Sequence, residues 1–389
     1  MVKKKIVLLH CFPVPYRNHM FESLAIECFN RNIDFEVHFF SGFDISRPKW
    51  RFVSKDLKFK NFFWRPIFKY GPVMQLNVDL LFYLWKKKPD LIIMGGVWSS
   101  LNTIFLTLFS KVPIVAWDET NRFDFGSVSK RFYWLKRHLI NNLKFIAIPG
   151  LESKYFYREI LDEKSFRTKK FIYLPNIVDE KLFNPSSISS IESEDIRKHF
   201  KIPLDKKVAY WPARFIPHKG IVNFIRYLDE DILFEWIIVI VGDGPLKEES
   251  SNFIKDKGLE SYFKINDLLP YEEALKLYFI SDLLIMPSIA DSNPLSVIEA
   301  IHSSLPILVS NRIGNFHEVL IEKKNGVGVD PFNESSMRGG IDFMFSKSKL
   351  DLLGMGKISK VLAVKNYSSE SIIKEFVSEL TIILADSNY

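Results

Sequence analysis

Short apolar runs and amphipathic stretches alternate along this chain in two successive series, and few architectures accommodate that rhythm. In the first half KIVLLH, DFEVHFF, DLIIMGG, PIVAWD and FIAIPG are near-continuous apolar runs, the pattern of strands buried on both faces. Between them NHMFESLAIECFNRN, GPVMQLNVDLLFYLWKKK and SSLNTIFLTLFSK have the spacing of amphipathic helices. The second half repeats the theme with KVAYWPA, WIIVIVG, DLLIMPS, PILVS and GVGVD as strands, and a last helix is expected at about Ser369–Ala385. Alternation of this kind predicts parallel sheets covered by helices on both faces. At 389 residues the chain exceeds one ordinary core, so two series imply two Rossmann-like domains. The join falls in PNIVDEKLFNPSSISSIESEDIRK, residues 175–198, which is rich in Ser, Asn, Pro and charge and has little periodicity.

Composition narrows the classes. Hydrophobic content of 47% with 25% charged residues describes a globular protein rather than a disordered or fibrous one. Only Cys11 and Cys28 occur, with neither metal-ligand spacing nor a disulfide framework, which fits a reducing compartment. The basic start MVKKKIVLLH is interrupted at His10 and lacks a small-residue cleavage site, so it is expected to be a first strand, Ile6–His10, rather than a signal peptide. No apolar stretch is long enough to span a bilayer, and a cytoplasmic location is expected. Charge is uneven. Residues 1–180 hold 29 Lys+Arg against 17 Asp+Glu, a net of +12, and the remainder holds 24 against 29, a net of −5, which together give the overall +7.

Open α/β sheets bind ligands beyond the carboxyl ends of their strands, so chemistry is sought there. After KVAYWPA come Arg214 and then FIPHKG, with Lys219 and Gly220. After WIIVIVG comes the turn GDGP with Gly242, and after DLLIMPS comes SIADSNPLSVIEA. One strand edge therefore collects two cations, a glycine turn and a helix start flanked by acids, a set that suits a nucleoside diphosphate. The helix is expected to begin near Pro294 with Asn293 as its N-cap, leaving the N–H groups of Leu295 and Ser296 free for an anion. Glu299, about a turn further in, suits a ribose diol, and Asp291 suits hydroxyls of a sugar beyond the phosphates.

These stretches resemble a known family. WPARFIPHKG, VGDGP, DLLIMPSIADSNPLSVIEAIHSSLPILVSNRIGNFHEV and KKNGVGVDP are similar to the donor-binding half of family 4 glycosyltransferases, which have the GT-B fold, and PNIVDEKLFNP resembles the family's stretch at the end of its first domain. The resemblance implies two Rossmann-like α/β domains facing each other across a cleft. Residues 1–175 would bind the acceptor, with a C-terminal helix at about 366–389 packing back on them, and residues 176–365 would bind the donor. It implies a retaining glycosyltransferase that moves a sugar from a nucleotide-sugar, a UDP- or GDP-sugar, to a glycan or lipid-diphosphate-linked acceptor. Neither a metal nor a resident cofactor is expected, since the nucleotide-sugar is a substrate. Arg214 and Lys219 would stabilise the leaving diphosphate, Glu299 would hold the ribose, Asp291 would contact the sugar as first acid of the E-x7-E motif, and Leu268 would lie by the base. Arg17, His19, Asp118 and Glu119 are the acceptor-side candidates. The sequence departs from the family in having Asp at 291, Asn293-Pro294 in place of Phe-Gly, Ser304 in place of a frequent Gly, and no glycine in CFPVPYRNHM.

Residues 50–70 and 129–144 interleave aromatics with Lys and Arg, which suits an anionic membrane surface. It would also suit single-stranded nucleic acid, although no nucleic-acid partner is expected. A peripheral position at the inner face of a bacterial membrane, in surface polysaccharide synthesis, would give such a surface a purpose. The alternatives are a nucleotide-sugar epimerase of similar fold and a non-catalytic nucleic-acid-binding protein. A dinucleotide-dependent oxidoreductase is disfavoured because residues 11–20 lack glycine and GDGP lacks the third glycine of G-x-G-x-x-G.

Overall fold

The computed structural model describes residues 3–42, 54–70, 74–98, 100–123, 133–184 and 189–386. Parts of the two basic aromatic segments, 50–53 and 129–132, lie outside the described residues, as does 185–188 of the expected join. The chain divides into two compact units, one of residues 179–368 and one of residues up to 178 together with those from 369 onward.

Unit 1 contains β1 (Lys4–His10), β2 (Ile33–Phe39), β3 (Asn61–Phe63), β4 (Phe68–Tyr70), β5 (Met74–Leu76), β6 (Leu91–Gly95), β7 (Ile114–Trp117), β8 (Phe145–Ile148) and β9 (Lys170–Tyr173). Seven of them form one parallel sheet in the order β3-β2-β1-β6-β7-β8-β9, and β4 pairs with β5 as a separate antiparallel hairpin. On one face the helices Pro15–Asn30 and Ser369–Ala385 bury Phe21, Leu24, Phe376 and Leu380 against Ile6, Val37 and Ile93. On the other, the helices Val78–Lys87, Leu101–Phe109 and Tyr133–Asn141 bury Leu80, Leu84, Leu106 and Leu139 against Val7, Ile92 and Met94.

Unit 2 contains β10 (Lys207–Pro212), β11 (Trp236–Val241), β12 (Phe263–Asn266), β13 (Leu283–Met286), β14 (Ile307–Ser310) and β15 (Gly326–Val329), all parallel in the order β12-β11-β10-β13-β14-β15. Every residue of β11, β13 and β14 is buried, as expected for strands covered on both faces. In both sheets the first strand lies inside and the chain winds outward in one direction before returning to wind in the other, so each has a switch point, at β1/β6 and at β10/β13.

Three expectations need correction. GPVMQLNVDLLFYLWKKK is not one helix: Met74–Leu76 is strand β5, and the helix begins only at Val78. Buried Asn77 breaks the run, because its N–H donates to Asn102 Oδ1 and its side-chain amide to Phe40 O, holding the backbone extended there. The strands β3, β9 and β12 were not expected. They are outermost in their sheets, and an edge strand buries less of itself, so NFF, KFIY and FKIN lack the long apolar run that marks a central strand. Finally, Asn293 is not the N-cap of the helix Leu295–His302. Pro294 occupies that place in extended backbone and makes no side-chain cap bond.

Candidate active site

The carboxyl edge of unit 2 is assembled around the switch point between β10 and β13. The loops leaving these strands are joined by the Ile289 N–H, which donates to His218 O at 2.8 Å. Gly220 permits the approach: its φ is +71°, and a Cβ there would lie 2.6 Å from Pro287 O. From this joined pair of loops the Lys219 ammonium and the Asp291 carboxylate form an ion pair, both side chains mostly shielded from solvent. Asp291 is also fixed through its backbone, with its N–H donating to Arg312 O at 3.3 Å and its carbonyl accepting from Gly314 N–H at 2.9 Å.

Arg214 is exposed on the loop after β10. Its neighbours are held against the turn after β11, where Phe215 N–H donates to Asp243 O at 3.0 Å and Ala213 N–H to Val241 O at 3.1 Å. Gly242 is required for that packing, since a Cβ would stand 2.1 Å from Ala213 O. Its own N–H is bonded to Asn266 O at 3.1 Å, so Gly242 shapes the edge rather than donating into it. Leu268 is exposed just past β12, at the next loop along the same edge.

The helix Leu295–His302 starts at this edge, with Asn293 and Pro294 buried beneath its first turn. Val297 N–H turns back to Pro294 O at 3.2 Å, whereas the N–H groups of Leu295 and Ser296 belong to the set a helix cannot satisfy internally. Glu299 is 7% exposed and accepts a hydrogen bond from Tyr278 Oη at 2.6 Å. Tyr271 also donates to this carboxylate. Burial pushes Glu299 up to about 7, against the opposing pull of the two phenol hydroxyls. Neither tyrosine was singled out from the sequence, although their seven-residue spacing in YEEALKLY places both on one face of the helix Tyr271–Ile280.

In unit 1 the switch point lies between β1 and β6, and the acceptor-side candidates separate into different settings. Arg17, on the helix after β1, donates from Nη2 to Glu119 Oε2 at 2.7 Å, and its guanidinium lies 4.1 Å from the Trp117 ring centroid. Burial, and then the Arg17 charge, lower His10 to about 3, so its imidazole is neutral and Nδ1 donates to Phe12 O at 2.9 Å. His19 is half-buried and is not part of the Arg17–Glu119 pair. Asp118 is turned inward, accepting from Tyr157 Oη at 2.5 Å and Thr120 Oγ1 at 2.8 Å, and burial raises its pKa. Among the described residues no cluster of three or more His, Cys, Asp or Glu is arranged to hold a metal ion, and no helix is long and apolar enough to cross a membrane.

Known proteins resemble this chain in sequence and in fold. Residues 192–352 match the family model described as glycosyl transferases group 1. The α-monoglucosyldiacylglycerol synthase of Acholeplasma laidlawii is 25% identical over 232 residues, 58% of this chain and 56% of the relative. The UDP-Gal:α-D-GlcNAc-diphosphoundecaprenol α-1,3-galactosyltransferase of Escherichia coli is 30% identical over 156 residues, 38% of each chain. The chain thus spans about half or less of the length of the curated relatives it matches. Over its backbone it is similar to Anabaena Alr3699/HepE, solved in complex with UDP, with a TM-score of 0.76 at 15% identity, covering 97% of this chain and 100% of that one. Residues 192–352 are thus similar to the group 1 glycosyltransferases, and the chain that carries them has the GT-B fold with its two Rossmann-like domains.

Proposed function

We propose that this chain is a retaining glycosyltransferase that moves a sugar from a UDP- or GDP-sugar to a glycan or lipid-diphosphate-linked acceptor in bacterial surface polysaccharide synthesis. The observation that carries the reading is the Lys219–Asp291 ion pair at the β10/β13 switch point, beside the start of the helix Leu295–His302. Both groups are the ones a nucleotide-sugar needs, and in the structure each holds the other. On donor binding Lys219 exchanges the Asp291 carboxylate for the diphosphate, and Asp291 turns to the sugar hydroxyls. Arg214 and the N–H groups of Leu295 and Ser296 share the negative charge that grows as the diphosphate leaves, so no metal ion is required for that step. Glu299 accepts from the ribose hydroxyls, and Leu268 lies by the base.

On the acceptor side Arg17, His19 and Glu119 contact the incoming hydroxyl-bearing group, and Asp118 supports that edge through Tyr157. The UDP-bound neighbour and the lipid-acceptor names of the relatives support this substrate class. The reaction would take place in the cytoplasm, at the inner face of the membrane, where nucleotide-sugars meet lipid-linked acceptors.

A thermal-shift panel of UDP, GDP, ADP and NAD against the wild type and Lys219→Ala tests the reading. Losing a hydrogen bond to a charged group costs about 1.5–3 kcal/mol, so Lys219→Ala is expected to weaken the responding nucleotide roughly ten- to a hundredfold. A response to NAD alone, or one that Lys219→Ala leaves untouched, refutes the donor site.

A further inference from the structure

We propose that unit 1 docks on an anionic lipid bilayer through the amino-end edge of its sheet and the outer faces of the helices Val78–Lys87 and Leu101–Phe109. This is the edge opposite the one that carries Arg17 and Glu119. The proposal rests on the membrane-side part of the function proposed above and is independent of the donor site.

The placement follows from topology. In a parallel sheet each covering helix returns the chain to the strand starts, so whatever follows those helices lies along one edge. Here lysines occupy those positions: Lys86, Lys87 and Lys88 precede β6, Lys111 precedes β7 and Lys144 precedes β8, all of them exposed. These five lysines put part of the +12 charge of residues 1–180 on this edge, where the acids Asp34 and Asp90 are already paired with Lys5 and Lys4.

Aromatic side chains stand beside these lysines. The helix Val78–Lys87 turns Leu80 and Leu84 into the core and presents Phe82 and Trp85 outward, with Trp85 70% exposed. The helix Leu101–Phe109 buries Leu106 and presents Phe105 and Phe109, the latter 66% exposed. The outward rings lie in pairs, with centroids 5.7 Å apart for Phe82–Trp85 and 4.9 Å for Phe105–Phe109. Reciprocal 2.8 Å hydrogen bonds between Asn77 and Asn102 tie the two helix starts together, so both outer faces belong to one surface.

Core packing does not account for these rings, because the inward faces of both helices already serve the core. Aromatic rings among lysines match the boundary between anionic headgroups and acyl chains. A second copy of the chain is a poorer occupant, since lysine is depleted from protein interfaces and face-to-face pairing would bring two like-charged sets together.

Co-sedimentation of the full chain with vesicles of phosphatidylcholine alone, and of phosphatidylcholine with phosphatidylglycerol, tests the proposal. Binding is expected only to the anionic vesicles and is expected to fall with salt. At roughly fivefold per lysine, the triple variant Lys86→Gln, Lys87→Gln, Lys88→Gln should bind on the order of a hundredfold more weakly. Trp85→Ser with Phe109→Ser should remove the part of binding that survives high salt. Both variants should keep the wild-type thermal response to nucleoside diphosphates, so loss of vesicle binding is separable from failure of the donor site. No vesicle binding, equal binding to both compositions, or insensitivity to both variants overturns the proposal. So does a concentration-dependent dimer that only the Trp85/Phe109 variant abolishes.

Discussion

Removing one hydroxyl, in Tyr278→Phe, tests the proposal that Glu299 holds a ribose as a carboxylate. Tyr278 Oη donates to Glu299 Oε2 at 2.6 Å inside the protein. Such a bond favours the carboxylate over the carboxylic acid, and bonds to charged groups are worth about 1.5–3 kcal/mol. At 1.36 kcal/mol per pH unit, its loss moves the Glu299 titration upward by about one to two pH units. Burial already holds the wild-type carboxyl at about 7, so the charged form grows as pH rises through neutrality. In the variant that rise is displaced to more alkaline pH, and only about a tenth to a hundredth of the carboxyl remains ionised at pH 7. A carboxylate accepts from two ribose hydroxyls and a carboxylic acid does so poorly, so nucleotide affinity at pH 7 should fall about five- to fiftyfold and recover as pH is raised. Tyr271, which also donates to Glu299, and Tyr210, close enough to feel its charge, remain in the variant and hold the packing. Isothermal titration of the nucleoside diphosphate across pH reads the result. An affinity unchanged at pH 7, or a weakening that is the same at every pH, refutes the reasoning.

Two further outcomes are expected. Asp291→Asn removes the charge that occupies Lys219, so the free nucleoside diphosphate should bind up to about tenfold more tightly while sugar transfer falls sharply, a split that titration and a transfer assay read separately. Ser304 has a φ of +60°, a left-handed backbone that costs a side-chain-bearing residue roughly 1–2 kcal/mol, so Ser304→Gly should raise stability by about 1 kcal/mol or less in denaturant unfolding.

The fold was legible because the central strands of both sheets are buried on two faces and therefore spell their own positions. WIIVIV and LLIM could scarcely be anything else. The outermost strands β3, β9 and β12 escaped, though outermost β15 did not, because an edge strand makes fewer demands on sequence, and KFIY with its lysine differs little from a loop. The misread helix at 71–88 failed for another reason. Its apolar spacing is continuous, and the break is made by Asn77 through bonds to Phe40 and Asn102, partners 37 and 25 residues away that no local pattern announces.

The candidate site shows the same division between what is local and what is assembled. The order of Arg214, Lys219, Asp291 and Glu299 after successive strands follows from chain topology, so strand positions alone bring the first three to one edge. What topology leaves open is the state in which each waits. The pairing of Lys219 with Asp291 depends on a loop junction that Gly220 makes possible, and the charge of Glu299 depends on Tyr278, twenty-one residues earlier on a different helix. Similarly, Asp118 and Glu119 are adjacent in sequence yet end in opposite settings, one bonded inward to Tyr157 and the other paired with Arg17. Identity of the charged groups is thus written in the strand rhythm, and their readiness is written in second partners that lie outside it. That is why Tyr278→Phe discriminates better than removal of the charges themselves: it alters the readiness of Glu299 while leaving every charged group of the site in place.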